Sequence, residues 1–516
     1  MEWTRVCGIL LHPTSLPGRF GIGDLGEEAY RFVDRLVQAG QQLWQTLAIG
    51  PTGYADSPYA SFSAFAGNPM LISPELLAQE GDLSPADWAD LPPFPQDHVD
   101  FGWVIPYKTE LLRSAARRFF QRGSTERHAR FAQFCRENRD WLDDFALFMA
   151  VKAEHHMVIW TDWEEGIALR RPEALEAWRE KLADEILFHQ YLQYQFFQQW
   201  QALRRYANER QVKIMGDIPI FVAHDSADVW ANPGLFYLDE AGEPTLIAGV
   251  PPDYFSATGQ RWGNPLYRWD LMEQQGYAWW IDRVRQTFSL VDFLRIDHFR
   301  GFEAYWEIPA SEPTAVVGRW VKAPGAKLFR ALKGALGELP IIAEDLGVVT
   351  SEVVALREEF GFPGMKVLQF AFDSDASNPY LPYNLDHDCV IYTGTHDNDT
   401  TRGWFTVQNE GLRHKVSLYL GSDTREIHWD FIRLALSSVA DMAVIPLQDL
   451  MGLGSEARMN RPGEPSGNWQ WRYLPGMLTD ELIARLRSLT EIFGRQGLKR
   501  DKVGNVGDWL DHTTMP

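Results

Sequence analysis

At 516 residues the chain is long enough for one large barrel with insertions or for two to three ordinary domains. A hydrophobic fraction of 45% and a charged fraction of 23% are those of a globular protein with a sizeable core. The formal net charge of -21 argues against a nucleic-acid or anionic-membrane surface, because both require a basic face that displaces counterions.

The aromatic load is heavy, with 21 Trp, 17 Tyr and 30 Phe. Most of these rings must fill a core, and any left at a surface suit stacking on sugar faces. Cys7, Cys135 and Cys389 are odd in number and far apart, so neither a disulfide framework nor a metal-ligand cluster is expected. The start of the chain lacks the basic and long apolar stretch of a signal peptide, and no later run reaches membrane-spanning length. A cytoplasmic protein that is a monomer or weak oligomer, with no nucleic-acid or membrane partner, is the expectation.

Eight short apolar segments, each rich in β-formers and followed by turn or polar residues, lie at 6–13, 42–51, 212–222, 290–301, 339–347, 365–372, 389–398 and 442–451. Helical patterns follow the first at 27–39 and precede the fifth, sixth and eighth at 327–336, 351–359 and 429–440. Strands alternating with helices predict an α/β fold, and eight such units predict a (β/α)8 TIM barrel with its chemistry on the loops after the strands. The spacing is uneven, which predicts large insertions between strands in a single catalytic domain, 1–516. Residues 71–210, between the second and third strands, read as mostly helical, with Leu192, Phe196, Trp200 and Leu203 at helix spacing. Residues 223–289, between the third and fourth, read as a Gly/Pro/aromatic loop suited to a lid. No C-terminal β-sandwich is visible.

Gly21, Gly23 and Gly26 match the G-x-G-x-x-G of dinucleotide sites, but seven residues separate them from the preceding strand and no acid lies in 41–50. A tight turn capping the following helix is the better reading.

The strand ends carry the chemistry. The third segment ends in Gly216 and Asp217, the fourth in Arg295, Asp297 and His298, and the fifth in Glu344 and Asp345. The seventh ends in His396, Asp397 and Asn398, and the eighth in Gln448 and Asp449. Alternation places Arg295 and Asp297 on one strand face and Leu294 and Ile296 on the other. A lone acid after a strand is commonly a helix cap, but five acids aimed at one mouth suit either a divalent metal or glycosyl chemistry. Two carboxylates about 5 Å apart repel by roughly 3 kcal/mol at an effective dielectric near 20, enough for one of them to keep a proton near neutrality. Asp297 beside Arg295 is the natural anion, which leaves Glu344 as the general acid.

Arg295-Ile296-Asp297-His298, Ala343-Glu344-Asp345 and Thr395-His396-Asp397-Asn398 resemble the catalytic regions of the α-amylase clan of glycosidases. The blocks at 50–59, 63–69, 216–222, 249–253, 259–265 and 446–449 narrow the resemblance to the 4-α-glucanotransferase (amylomaltase, disproportionating enzyme) family, over residues 5–475. The resemblance implies that Asp297 is the nucleophile, Glu344 the general acid/base, and Asp397 the third acid, which grips sugar hydroxyls and favours ring distortion. It implies a stacking role for Tyr59 and hydrogen-bonding roles for Asp217, Arg295, His396 and Asn468, with Ser57 and His298 as further substrate contacts. Trp262 and the 249–265 loop, including Tyr254 and Phe255, would cover the acceptor side, and Tyr54 would mark a second glucan contact outside the active site. Ala48 stands where the family has proline, and Phe101 where an aromatic with a hydroxyl is common.

The implied substrates are α-1,4-glucans: maltooligosaccharides and starch or glycogen fragments. No metal, nucleotide or redox cofactor is expected, since an arginine and histidines stand beside the acids. Two alternatives share part of this pattern. An α-amylase-type hydrolase has the same acids but normally a shorter loop before the fourth strand and an added sandwich. A catalytically silent glucan-binding protein would not require Asp297 and Glu344 together.

Overall fold

Residues 5–252, 256–347 and 349–496 are described by a computed structural model and contain twelve β-strands. In chain order these are β1 (Val6–Leu10), β2 (Leu43–Gln45), β3 (Lys213–Pro219), β4 (Leu246–Val250), β5 (Gln260–Pro265) and β6 (Phe293–Asp297). They continue with β7 (Ala304–Pro309), β8 (Arg319–Lys322), β9 (Ile341–Ala343), β10 (Gly364–Val367), β11 (Cys389–Tyr392) and β12 (Met442–Pro446). Eight of them form one parallel sheet in the order β10-β11-β12-β1-β2-β3-β6-β9; seven lie within apolar segments named above, and β10 begins one residue before the sixth. Val, Ile and Leu dominate these strands because both faces are covered, by helices outside and by the opposite wall inside.

The sheet closes between β9 and β10 without a regular ladder. Ala343 N–H donates to Pro363 O at 2.9 Å, and the Asp345 carboxylate accepts Met365 N–H at 2.8 Å. Glycine at 364 makes room for this: a Cβ there would lie 2.5 Å from Asp345 Oδ2. Side-chain chemistry thus completes what backbone pairing leaves open, giving a nearly closed (β/α)8 barrel.

The helices follow from sequence periodicity. Glu27–Gln38 buries Ala29, Phe32, Val33 and Leu36 against the barrel, places Glu27 and Glu28 at its positive N-terminal end, and starts at Gly26, whose N–H meets Asp24 Oδ1 at 2.8 Å. The three-glycine stretch is therefore a helix entry, and Gly21, at φ 77°, sits where a Cβ would crowd Val104 and Phe94. Between β2 and β3 lie helices Pro74–Gln79, Phe101–Arg122, Thr125–Glu137, Arg139–Glu154 and Pro172–Lys181, and then the 27-residue helix Ala183–Glu209, which leads into β3. Phe101 is buried in the core at the start of its helix. No helix among the described residues is long and apolar enough to cross a membrane.

The stretch read as an irregular loop between the third and fourth barrel strands is more ordered than its sequence suggests. It carries β4 and β5 and helix Ala278–Leu290, and β4 pairs antiparallel with β7, which lies after the fourth barrel strand. The result is a four-stranded antiparallel sheet, β5-β4-β7-β8, standing beside the barrel mouth. Tyr254 and Phe255 lie outside the described residues.

Candidate active site

The site begins with strand register. Asp217 on β3 and Arg295 on β6 are directly paired across a parallel ladder, so both side chains leave the same face. Arg295 Nη1 donates to Asp217 Oδ2, and its Nη2 donates to Asp297 Oδ1 at 2.9 Å. Burial alone would loosen the proton on Arg295, but Asp217 and Asp297 override it and push its pKa well up. One guanidinium fork thus holds two carboxylates of unlike exposure: Asp217 is fully covered, whereas Asp297 is 33% exposed and reachable from the cleft.

Glu344, just past the end of β9, is held by backbone. His298 N–H donates to its Oε2 at 2.7 Å and Leu346 N–H to its Oε1 at 2.9 Å. Burial, reinforced by the neighbouring Asp297 charge, lifts its pKa to about 8, against the pull of Arg295 and the two N–H groups. His298 reaches this position in the left-handed region, φ 52° and ψ 49°, a conformation uncommon outside glycine and suited to a turn that carries a functional group. Burial pushes the His298 imidazole down to about 4, so it is neutral at pH 7, and its ring meets Trp262 edge-on at 4.8 Å.

The third acid is held from the loop after β12. Asn460 Nδ2 donates to Asp397 Oδ1 at 2.6 Å, and Arg458 Nη2 to the Asp397 backbone carbonyl at 2.7 Å. Tyr59 OH donates to Asp217 Oδ2 at 2.8 Å and lies 3.0 Å from His396 Nε2. Tyr59 has one proton and spends it on Asp217, so His396 must be the donor in the second bond. The Tyr59 and His396 rings are stacked, 14° from parallel, with Trp469 tilted against both.

A cleft of about 660 Å³ opens over these groups, in the size range of ligand sites. Asp297, His298, His396, Asp397, Tyr59 and Trp262 line it, and Glu344 sits behind Asp297 and His298. Ser57 lines the rim and fixes Tyr59 by accepting its N–H at 3.2 Å. Tyr54, 78% exposed, stands at the edge of the cleft.

Several positions differ from the sequence reading. Asp345 and Asp449 do not share the mouth: Asp345 serves the barrel seam, and Asp449 is buried, accepting from Thr393 Oγ1 at 2.5 Å and from Thr401 N–H at 2.6 Å. Asn468 spends its amide on its own loop, accepting Arg461 N–H at 2.9 Å and donating to Glu464 O at 2.8 Å. In its place the loop offers the cleft Asn460 and Trp469. Neither stood out in the sequence, although glycines at 452, 454, 463 and 467 mark the stretch after the last barrel strand as an irregular loop.

Comparison with known proteins agrees with this geometry. Residues 11–478 match a family profile described as 4-alpha-glucanotransferase, of glycoside hydrolase group 77. The chain is 55% identical over 496 residues to a 4-alpha-glucanotransferase of Synechocystis sp., covering 95% of this chain and 98% of that protein. It is 53% identical over 499 residues to one of Thermus thermophilus, covering 95% and 99%. Among solved structures, the amylomaltase from Streptococcus agalactiae in complex with acarbose superposes with a TM-score of 0.93 at 40% identity, over 95% of this chain and 99% of that one.

Proposed function

Because the chain belongs to the 4-alpha-glucanotransferase family of glycoside hydrolase group 77, within the α-amylase clan, we propose that it is a retaining enzyme that transfers α-1,4-glucan segments in two steps through a covalent glucosyl-enzyme intermediate. The donor is a maltooligosaccharide or a starch- or glycogen-type glucan, and the acceptor is another glucan or glucose. The observation that carries this reading is the pairing of unlike acids: Asp297, partly exposed and tied to Arg295, and Glu344, which keeps its proton to about pH 8. The acarbose held by the similar amylomaltase supports an oligosaccharide in this cleft.

In the first step Glu344 gives its proton to the glycosidic oxygen while Asp297 attacks the anomeric carbon. Arg295 occupies Asp297 Oδ1 and leaves Oδ2 for the attack. The leaving sugar departs, and Glu344, now a carboxylate, takes the proton of an incoming acceptor hydroxyl as that oxygen displaces Asp297. Two inversions give net retention. Asp397, fixed by Asn460, grips the hydroxyls of the distorted ring, while Tyr59 stacks on it.

Water competes for the intermediate at ~55 M, so transfer requires an acceptor held in a reactive pose, an advantage worth several kcal/mol, or a site that excludes water. Both tasks are assigned here to Trp262, whose ring meets that of His298 edge-on at the cleft wall. A slowly turned-over fluorinated glucosyl donor tests the mechanism: a glucosyl mass increment on the peptide containing Asp297 is expected. Full turnover without any adduct in wild type or in Glu344→Gln would contradict it.

A further inference from the structure

Lys152 is a buried cation with no part in the chemistry above. It lies in the helix Arg139–Glu154, with its side chain fully covered. Its ammonium carries three protons, and it donates to Asp225 Oδ2 at 2.6 Å, to Val158 O at 2.9 Å and to Met157 O at 3.2 Å. The turn it gathers is an unusual one, with His156 and Met157 both left-handed at φ 55° and 65°. Just beyond, Trp160 Nε1 donates to His224 O at 2.8 Å. The inserted helices are thus lashed to the loop after β3 at two adjacent residues, His224 and Asp225.

That joint faces the cleft. Ile159, His224 and Asp225 line it on the wall that also carries Gln260 and Trp262, and Asn264 Nδ2 ties the two parts of the wall together by donating to Val222 O at 2.8 Å. The Asp225 side chain is 29% exposed; its Oδ1 is buried and makes no hydrogen bond, and Lys152 takes one lone pair of Oδ2, leaving the other for a ligand hydroxyl.

We propose that Asp225 is an acceptor-selecting residue. Held by Lys152, it accepts hydroxyl hydrogen bonds from the second or a later unit of the acceptor chain, favouring oligosaccharide acceptors over free glucose. Lys152 is the positioning residue. The assignment rests on the transferase reading and on the Trp262 wall being the acceptor side.

Transfer from a fixed glucan donor to labelled glucose or labelled maltotriose tests it, with wild type, Asp225→Asn and Lys152→Met compared. For Asp225→Asn the apparent KM for maltotriose should rise about tenfold, the loss expected for a hydrogen bond to a charged group, while the KM for glucose and the rate at saturating acceptor stay within about twofold. Lys152→Met should show the same selective change, and Asp225→Asn alone carries the test if that variant does not fold. An Asp225→Asn enzyme that treats both acceptors as wild type does, or loses both equally, overturns the assignment while the transferase reading stands. A wild-type enzyme that transfers to neither overturns both.

Discussion

Glu344 accepts the backbone N–H of His298 at 2.7 Å, so the acid after the fifth barrel strand is oriented by the turn that follows the fourth. That turn immediately follows Asp297, and one local conformation therefore places both acids of the proposed mechanism.

A pH dependence follows. Glu344 is raised from 4.5 to about 8, by burial first and by Asp297 second, so it is protonated through neutrality and kcat/KM should fall above about pH 8. The sign for stability is the reverse of that for a salt-bridged acid. The folded state holds a proton that the unfolded chain releases near its ordinary value, so the Glu344 contribution to stability declines as pH rises from about 4.5 through 8. Glu344→Gln should therefore gain melting temperature over wild type increasingly between pH 5 and pH 9. A constant difference, or a flat rate profile to pH 9.5, would count against this assignment.

Arg295 separates chemistry from support. Asp297→Asn should abolish transfer yet keep the fold, because Asp297 is partly exposed and an amide can still accept from Arg295. Arg295→Met should cost about 3–5 kcal/mol in denaturant melts, since it strands the buried Asp217 carboxylate, and Asp217→Asn in the same chain should recover part of that loss. Additive losses in the double variant would contradict the pairing.

Tyr59→Phe keeps the ring but removes the hydroxyl that bridges Asp217 and His396. A loss of about 1.5–3 kcal/mol of transition-state stabilisation, seen mainly in kcat/KM, is expected. Tyr59→Ala should lose more, because the stacking face goes as well. Equal losses in the two variants would remove the stacking role.

Much of this could be read from the chain, for physical reasons. Strands buried on both faces are continuous apolar runs, and all eight barrel strands were visible as such. The acids stood out because they end those runs. The second sheet was not legible: β5 contains glycine and proline, shows no alternation, and becomes a strand only by pairing with β4 across a shifted register. Asp345 and Asp449 looked like Asp217 and Asp397 in sequence, since one position at a strand end decides whether a carboxylate meets the cleft or a neighbouring N–H. Asn460 and Trp469 were hidden because loop geometry, which carries no periodicity, sets their direction.

Trp262 is 38% exposed and bears on His298. Removing it in Trp262→Ala should lower the ratio of transfer to hydrolysis more than it lowers donor cleavage, because the wall proposed to hold the acceptor and shed water is lost. Counting glucose release against chain lengthening reads this ratio directly, and an unchanged ratio would shift the task to another part of the loop.

The most direct measurement is incubation with maltotriose and labelled glucose, followed by separation of the products and a count of reducing ends. Transfer predominating over hydrolysis gives a ladder of longer chains, label entering the oligosaccharides, and a nearly constant number of reducing ends. Steadily rising reducing ends with no label in any oligosaccharide would contradict the account and leave a hydrolase.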